Sequence, residues 1–522
     1  MTIKNPSISK LNSSQQNIFT ASKLIGQMTM STFGPFGMEK LTVNNYGDAF
    51  VLRDGKSILE KSNFDHPIAK ILLDVSDTMA KNVGDGTISA ILLTSFLLEQ
   101  ARINLEKGIH PKVIIDGYNQ SLDFSLSLLD SLKFSIQDKS QWKNLVYSSL
   151  SSKFGNLESE KISQLTVDSI HNIDPLFSDP NTIDYINVLS HGGDSTLNSK
   201  LVDGIVFDAD PLSKSEHLPL TDIKLAIISS SLSISDEGIK KEITINDPTF
   251  LNEFKKTEKQ ILANNLQPLI DNGINVLFSH KTIDDSLVSK LDSLGILTVK
   301  RVPMKSLEQI EKSTGCIIVN TSKEISKKTI GYCSNLTSMK MYDKNWFVLD
   351  HGSKHKSNTI LIRTETQRYS DLYEDILHRI LSLIRISMIN PHVVFGSGWF
   401  EFILSNRLRS FSLTDNRLSQ LAIHSYSNAI ELLPISLGLN AGFNNIDLIV
   451  ATRNSQPSPD QYIHLDYSNR KLSNRKNPRI IESAFMKRQL LITATEAANS
   501  ILIIDDIHET KTQGKRLFIP NC

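Results

Sequence analysis

The chain has 522 residues, more than one hydrophobic core usually serves, so two or three domains are expected. Hydrophobic residues make up 40% and charged residues 21%, and Lys plus Arg equals Asp plus Glu at 56 each. That balance gives neither the basic surplus of a nucleic-acid binder nor the acidic excess of a disordered tail. The three cysteines, Cys316, Cys333 and Cys522, are odd in number and lack metal-ligand spacing, which points to a reducing compartment. No run is read as reaching the roughly 18 apolar residues of a membrane span, and Met1 to Gln16 has no hydrophobic signal region. The expectation is a cytoplasmic protein with neither nucleic acid nor a membrane as partner.

Taken in order, Asn17 to Met30 has helical periodicity through Ile18, Ala21, Leu24, Ile25 and Met28. It leads into Thr32-Phe33-Gly34-Pro35-Phe36-Gly37-Met38, a rigid turn before a strand at Leu41 to Val43. No Gly-Lys-Ser or Gly-Lys-Thr follows at the right spacing, so this is no Walker loop. Phe50-Val51-Leu52 reads as a strand ending in Arg53-Asp54-Gly55-Lys56-Ser57, with an amphipathic helix from Ile58. After His66-Pro67, apolar positions at Ile68, Ile71, Leu72 and Val75 keep a helical period up to Val83-Gly84-Asp85-Gly86-Thr87-Ile88-Ser89.

This glycine-bracketed acid runs into an apolar helix from Ala90. The glycines let the backbone approach a bulky anion, and Thr87 and Ser89 stand where spare amide donors and the positive helix end favour phosphate. A lone carboxylate among such donors suits magnesium, which takes one or two carboxylates plus phosphate oxygens. The alternative is a helix N-cap after a tight turn. Asp54 and Asp85 both stand at element ends in one small unit, which favours a metal–nucleotide site.

Long helical periods continue to about Leu132 and return from Trp399 to Ala451 and from Phe485 to Ile507. Between them Ile223–Ile228, Asn275–Phe278 and Leu297–Val302 read as short buried strands alternating with helices, an α/β insertion.

The motifs Thr32-Phe33-Gly34-Pro35, Asp54-Gly55, His66-Pro67 and Gly84-Asp85-Gly86-Thr87 stand in the order and spacing of the group II chaperonins, the family of the archaeal thermosome and the eukaryotic cytosolic chaperonin. His110-Pro111, Gly117-Tyr118, Leu150-Ser151-Ser152-Lys153, Gly192-Gly193, Thr314-Gly315, Asn440-Ala441-Gly442 and Thr495-Glu496-Ala497-Ala498 extend the resemblance over nearly the whole chain. It implies an α/β multidomain chaperonin fold with a mainly helical equatorial domain built from both termini, a small intermediate domain, and an α/β apical, substrate-binding domain with a helical protrusion. The implied segments are 1–138 and 396–522 equatorial, 139–206 and 362–395 intermediate, and 207–361 apical. The charged stretch Glu237 to Glu258 falls where that family carries its lid; otherwise it is a solvated loop and helix.

Carried over by position, the resemblance implies ATP and Mg2+ as ligands. Thr32, Gly34 and Pro35 match the loop at the nucleotide phosphates, Asp85 the magnesium-binding acid, Gly86, Thr87, Ile88 and Ser89 the phosphate cradle, and Asp54 with Gly55 another acid near the phosphates. Gly396-Ser397-Gly398 stands where the family has a three-glycine turn, its middle glycine replaced. Lys153 falls in a loop that senses the terminal phosphate; without the family it reads as a surface lysine.

Some positions depart from the pattern. Arg379, in Glu374-Asp375-Ile376-Leu377-His378-Arg379, stands where the family has the aspartate that positions the attacking water, and a guanidinium stays protonated. It is suited to pairing with a terminal phosphate or with Asp375 one helical turn earlier. Ala80-Lys81 replaces an acidic pair. His464-Leu465-Asp466 and Asn469-Arg470 replace the usual turns at the nucleoside, with Asp466 kept as the contact.

The implied function is a subunit of a double-ring, ATP-dependent folding chamber, stacked with paralogous subunits and enclosing unfolded polypeptides. Nucleotide binding is retained, and hydrolysis in this subunit is weak or absent. The alternatives are an assembly or adaptor paralogue that keeps the fold without folding clients, and an unrelated metal-dependent phosphotransferase, for which no Walker or kinase-type lysine is visible.

Overall fold

A computed structural model describes residues 13–43, 49–62, 64, 66–208, 218–232, 266–341, 344–350, 356–414, 418–454, 463–466, 471–474 and 479–506. The expected lid at 237–258, Asn469-Arg470 and Cys522 lie outside these residues. The chain divides into two compact units, residues 1–159 with 382–522, and residues 160–381.

The first unit begins with α1 (Ser13–Met30), β1 (Lys40–Val43), β2 (Ala49–Leu52), α2 (Gly55–Lys61), α3 (Pro67–Asn82), α4 (Thr87–Glu106), α5 (Pro111–Leu132), β3 (Phe134–Ser135) and α6 (Lys139–Ser151). After α7 (Asn156–Ile173) come β4 (Ile186–Gly192), β5 (Lys200–Asp203), β6 (Ile205–Asp208), β7 (Leu220–Ile228), β8 (Val276–Ser279), α8 (Asp285–Ser293), β9 (Leu297–Val299), α9 (Met304–Thr314), β10 (Ile318–Val319), β11 (Gly331–Met341), β12 (Lys344–Leu349) and β13 (Asn358–Thr364). Then follow α10 (Gln367–Ile389), β14 (His392–Phe395), α11 (Trp399–Ser412), α12 (Ser419–Asn440), α13 (Asn445–Asn454), β15 (Ile463–Asp466), β16 (Lys471–Asn474), β17 (Ile481–Ser483) and α14 (Ala484–Leu502).

The first unit is organised around α4. Apolar residues surround the first three turns of this helix, before the ion-paired Glu99 and Arg102, and Ile91, Leu92, Leu93, Leu97 and Leu98 are fully buried beneath α1, α3, α12 and α14. A helix hydrophobic all round belongs inside a core, and each such side chain contributes roughly 1.5–3 kcal/mol on burial. By length and composition α4 is apolar enough to cross a membrane, which corrects the expectation that no run approaches that threshold. Here it is the core helix itself.

Two motifs of the sequence are packing devices. Gly117 of α5 meets α12 so closely that a Cβ there would lie 2.5 Å from the Ala422 Cβ. Its neighbour Tyr118 donates to the Leu97 carbonyl at 2.7 Å and meets Tyr426 edge-to-face at 5.4 Å. Tyr426 in turn shares a 2.9 Å hydrogen bond with Thr495 of α14. His66-Pro67 and His110-Pro111 are helix starts: each proline occupies the first turn, and each imidazole Nδ1 accepts the N–H two residues on, both at 3.2 Å.

The second unit carries a sheet in the order β6-β12-β11-β7-β8-β9, with β10 beside β7. The strands β7, β8 and β9 are parallel, and β11 and β12 run antiparallel. Phe207, Ile227, Phe278, Val299 and Leu336 fill one of its cores. A separate three-stranded sheet, β4-β13-β5, is parallel between β4 and β13. The expected alternation of strands and helices is present, with one boundary corrected. The third strand ends at Val299 rather than Val302, because Arg301 takes a left-handed backbone at φ 59°. In the first unit, α2 starts at Gly55 rather than Ile58, because Asp54 caps it. Cys316 and Cys333 are buried and form no disulfide.

Candidate functional site

The first unit contains a solvent-open cleft with about 1180 Å³ of empty space. Its walls are the turn after α1, the start of α4, the end of α6 with the turn that follows, the 396–398 turn, and the run from β17 into α14. Of the positions carried over by the resemblance, Thr32, Gly34, Pro35, Asp54, Asp85, Gly86, Thr87, Ile88, Ser89, Lys153 and Gly398 line it. Gly55, Gly396 and Asp466 are not part of the lining. Gly55 opens α2 behind Asp54, Gly396 packs on Glu482, and Asp466 ends β15.

The turn after α1 is fixed from both sides. Thr32 Oγ1 donates to the Thr29 carbonyl at 2.7 Å, and Met38 N–H to the Ser31 carbonyl at 2.8 Å. Asn440, at the end of α12, donates to the Met30 and Phe33 carbonyls at 2.7 and 2.8 Å. The Asn440 motif therefore holds the loop.

Gly86 precedes α4 with φ 78°, and a Cβ there would meet Met79 Cε and Met486 Sδ at 3.0 and 3.1 Å. Only glycine suits both the backbone and the space. The helix has no side-chain cap, so Asp85 is not the N-cap that the simpler reading allows. Its first-turn residues Thr87, Ile88 and Ser89 line the cleft, at the helix end whose amides have no intrahelical carbonyl and whose dipole is positive.

Asp85 instead turns to α6 and the turn beyond it. Oδ2 accepts from Ser149 Oγ, and Oδ1 accepts from Gly86 N–H at 2.9 Å and Lys153 Nζ at 3.1 Å. Burial pushes its carboxyl upward, but the Lys153 charge and these hydrogen bonds prevail and hold it below the ordinary carboxylate range. Asp54 does two things. Oδ2 caps α2 by accepting from Ser57 N–H at 3.2 Å, and Oδ1 accepts from Thr87 Oγ1 at 2.6 Å. It thus ties the start of α2 to the start of α4.

At the opposite wall Ser397 adopts φ 56°, a left-handed backbone uncommon for serine. Its Oγ donates to the Leu465 carbonyl at 3.2 Å, and its own carbonyl accepts from Leu465 N–H at 3.3 Å. The serine in place of glycine thereby couples this turn to β15.

Sequence reasoning missed a buried ion triad in the same cleft. Lys487 of α14 lies 2.6 Å from Glu401 of α11 and also pairs with Glu482 of β17. Burial alone would favour the neutral amine, but the two acids outweigh it and raise the Lys487 value. Glu482 is raised too: burial, Glu401 and Asp85 push it up against the pull of Lys487. A signal existed, since Lys487 occupies a core register with Leu490, Leu491 and Ala494. Ser149 and Arg53 were also missed; a polar residue in a helix and a strand-end arginine carry no local signature.

These residues fit a metal–nucleotide group. The first-turn amides of α4 suit phosphate oxygens, the glycine at 86 leaves room for them, and Asp85 supplies one carboxylate. Among the described residues no group of three or more His, Cys, Asp or Glu side chains forms a metal cage, so a cation at Asp85 would take its remaining ligands from phosphate and water. Arg379 belongs to the second unit, half-buried on α10, with Asp375 exposed one turn before it.

The TCP-1/cpn60 chaperonin family model matches residues 25–512. The chain is 28% identical over 494 residues to the thermosome subunit beta of Methanothermobacter thermautotrophicus, covering 95% of this chain and 91% of that one. It is 30% identical over 509 residues to the thermosome subunit alpha of Sulfolobus acidocaldarius, covering 94% and 91%. With the thermosome subunit beta of Desulfurococcus mucosus the identity is 30% over 487 residues, 92% of this chain and 97% of that one. Matched from its first core helix to beyond its last, the chain belongs to the TCP-1/cpn60 chaperonin family, on its group II side.

Proposed function

We propose that this chain is one subunit of a double-ring, ATP-dependent chaperonin that encloses unfolded polypeptides, built with paralogous subunits in the cytoplasm and working without nucleic acid or membrane. The observation that carries this is the cleft of the first unit, where the first turn of α4, Asp85 and Lys153 line one space. When bound, Mg2+·ATP would supply the anionic chain that the α4 amides and Lys153 attract and the cation that Asp85 holds. Residues 1–138 and 396–522 serve as the equatorial domain, 139–206 and 362–395 as the intermediate domain, and 207–361 as the apical domain with its lid. ATP binding shifts the ring between open and closed populations.

Hydrolysis in this subunit is weak or absent, because Arg379 replaces the acid that would orient water. A ring of mixed subunits tolerates such a member, since its neighbours supply the turnover. The test combines native mass measurement with nucleotide titration. A very large assembly that binds ATP in a Mg2+-dependent way supports the proposal. A monomer or small complex that binds no nucleotide overturns it in favour of an adaptor role.

A further inference from the structure

Arg53 stands at the junction of β2 and Asp54 and lines the cleft, yet nothing above gives it a task. Its side chain is 14% exposed. Its contacts are long: Nη1 is 3.5 Å from Glu39 Oε1, and Nη2 donates to the Gly37 carbonyl at 3.4 Å. Its Nε is buried and, among the described residues, donates no hydrogen bond.

A buried donor left without an acceptor is costly and calls for a reason. The other cations of the cleft are committed more closely, Lys153 to Asp85 at 3.1 Å and Lys487 to Glu401 at 2.6 Å. A guanidinium offers five donors in a planar fork that matches phosphate oxygens, and it stays charged. We propose that Arg53 is a second phosphate-binding cation of the cleft, exchanging its long contacts for the polyphosphate chain of a nucleoside di- or triphosphate. This rests on the nucleotide reading above. It makes the site discriminate by phosphate number, because a monophosphate lacks the added charge that the fork would grip.

The competing role is structural, in which Arg53 only pins the Gly37–Glu39 stretch. Two variants of the full-length chain, in the oligomer it forms, separate these roles: Arg53→Met, which removes fork and charge, and Glu39→Gln, which breaks the pin and leaves Arg53 in place. AMP, ADP and ATP affinities are measured by calorimetry for each. The expected result is that Arg53→Met weakens ADP and ATP by about ten-fold or more, with AMP changed much less and Glu39→Gln like the unmodified chain. Should Arg53→Met fail to fold, Arg53→Lys, which keeps charge without the fork, is expected to show the same order of losses at reduced size. If all three nucleotides weaken equally, or Glu39→Gln reproduces the loss, Arg53 is a loop pin and the proposal falls. If the unmodified chain binds nucleotide and Arg53→Met changes nothing, the Arg53 assignment alone falls; if the unmodified chain binds none, the nucleotide reading falls with it.

Discussion

Lys153 Nζ sits 3.1 Å from Asp85 Oδ1 while also donating to Ser149 O and Oγ at 3.0 and 3.1 Å. The ammonium thus occupies one side of the carboxylate that would hold a metal ion, and a bound cation would compete with it for Asp85.

From that competition, Asp85→Asn is expected to abolish the dependence of ATP binding on Mg2+ while retaining part of the metal-free binding, because the α4 amides and Lys153 remain. Titration with ATP in the presence of Mg2+ or of a chelator checks this. Equal Mg2+ enhancement in the variant and the unmodified chain would remove Asp85 from the metal site.

The triad makes a different prediction. Lys487→Met leaves Glu401 and Glu482 facing each other without their shared cation, and breaking a buried pair from one side costs about 3–5 kcal/mol. Adding Glu401→Gln removes one of the stranded charges and is expected to recover part of the loss. Calorimetric melting of the unmodified chain, the single and the double variant decides this: a double variant in which the second substitution recovers nothing means the pair is not coupled.

In the second unit, Lys305 of α9 lies 3.0 Å from Glu374 of α10, with His378 3.7 Å from the same oxygen. Burial opposes ionisation of Glu374, but hydrogen bonds and charge from His378 and Lys305 prevail and lower it to about 2. A depressed acid stabilises the fold above its unfolded value, about 4.3, and that contribution disappears as pH falls toward about 2. Glu374→Gln should therefore lower the melting temperature at pH 7 and approach the unmodified chain only as pH falls to about 2. A difference constant across this range would show that the ion pair is not its source.

For turnover, Arg379→Asp in otherwise identical assembled complexes is expected to add a hydrolysing site, read as a larger single-turnover burst of phosphate. No change, in a complex whose natural subunit already hydrolyses ATP, would show that Arg379 does not silence it.

The features legible in the sequence are those written locally. The glycines at 84 and 86, the helix-start residues Thr87 and Ser89, and the His-Pro pairs announce a turn and three helix entries from adjacent positions. The apolar run of α4 announces burial, although its completeness was underread. What the sequence hid are relations between distant residues. Nothing near Glu401 indicates Lys487, and nothing near Asp85 indicates Ser149; each pair exists only once the fold has closed. Asp54 was read as an acid beside phosphates, whereas its geometry also makes it a cap, a role that moves the start of α2 forward to Gly55.

The architecture around α4 bears on how the chain is made. Its covering helix α14 begins at Ala484, about 380 residues after α4 ends at Glu106. At roughly 5–20 residues per second, that interval is about 20–75 s of synthesis. Throughout it, the largely apolar α4 has left the ribosome with α1 and α3 but without α14 to cover it, and closing so long a loop delays native contacts further. The nascent chain therefore needs a holder of its own until its C-terminal helices emerge.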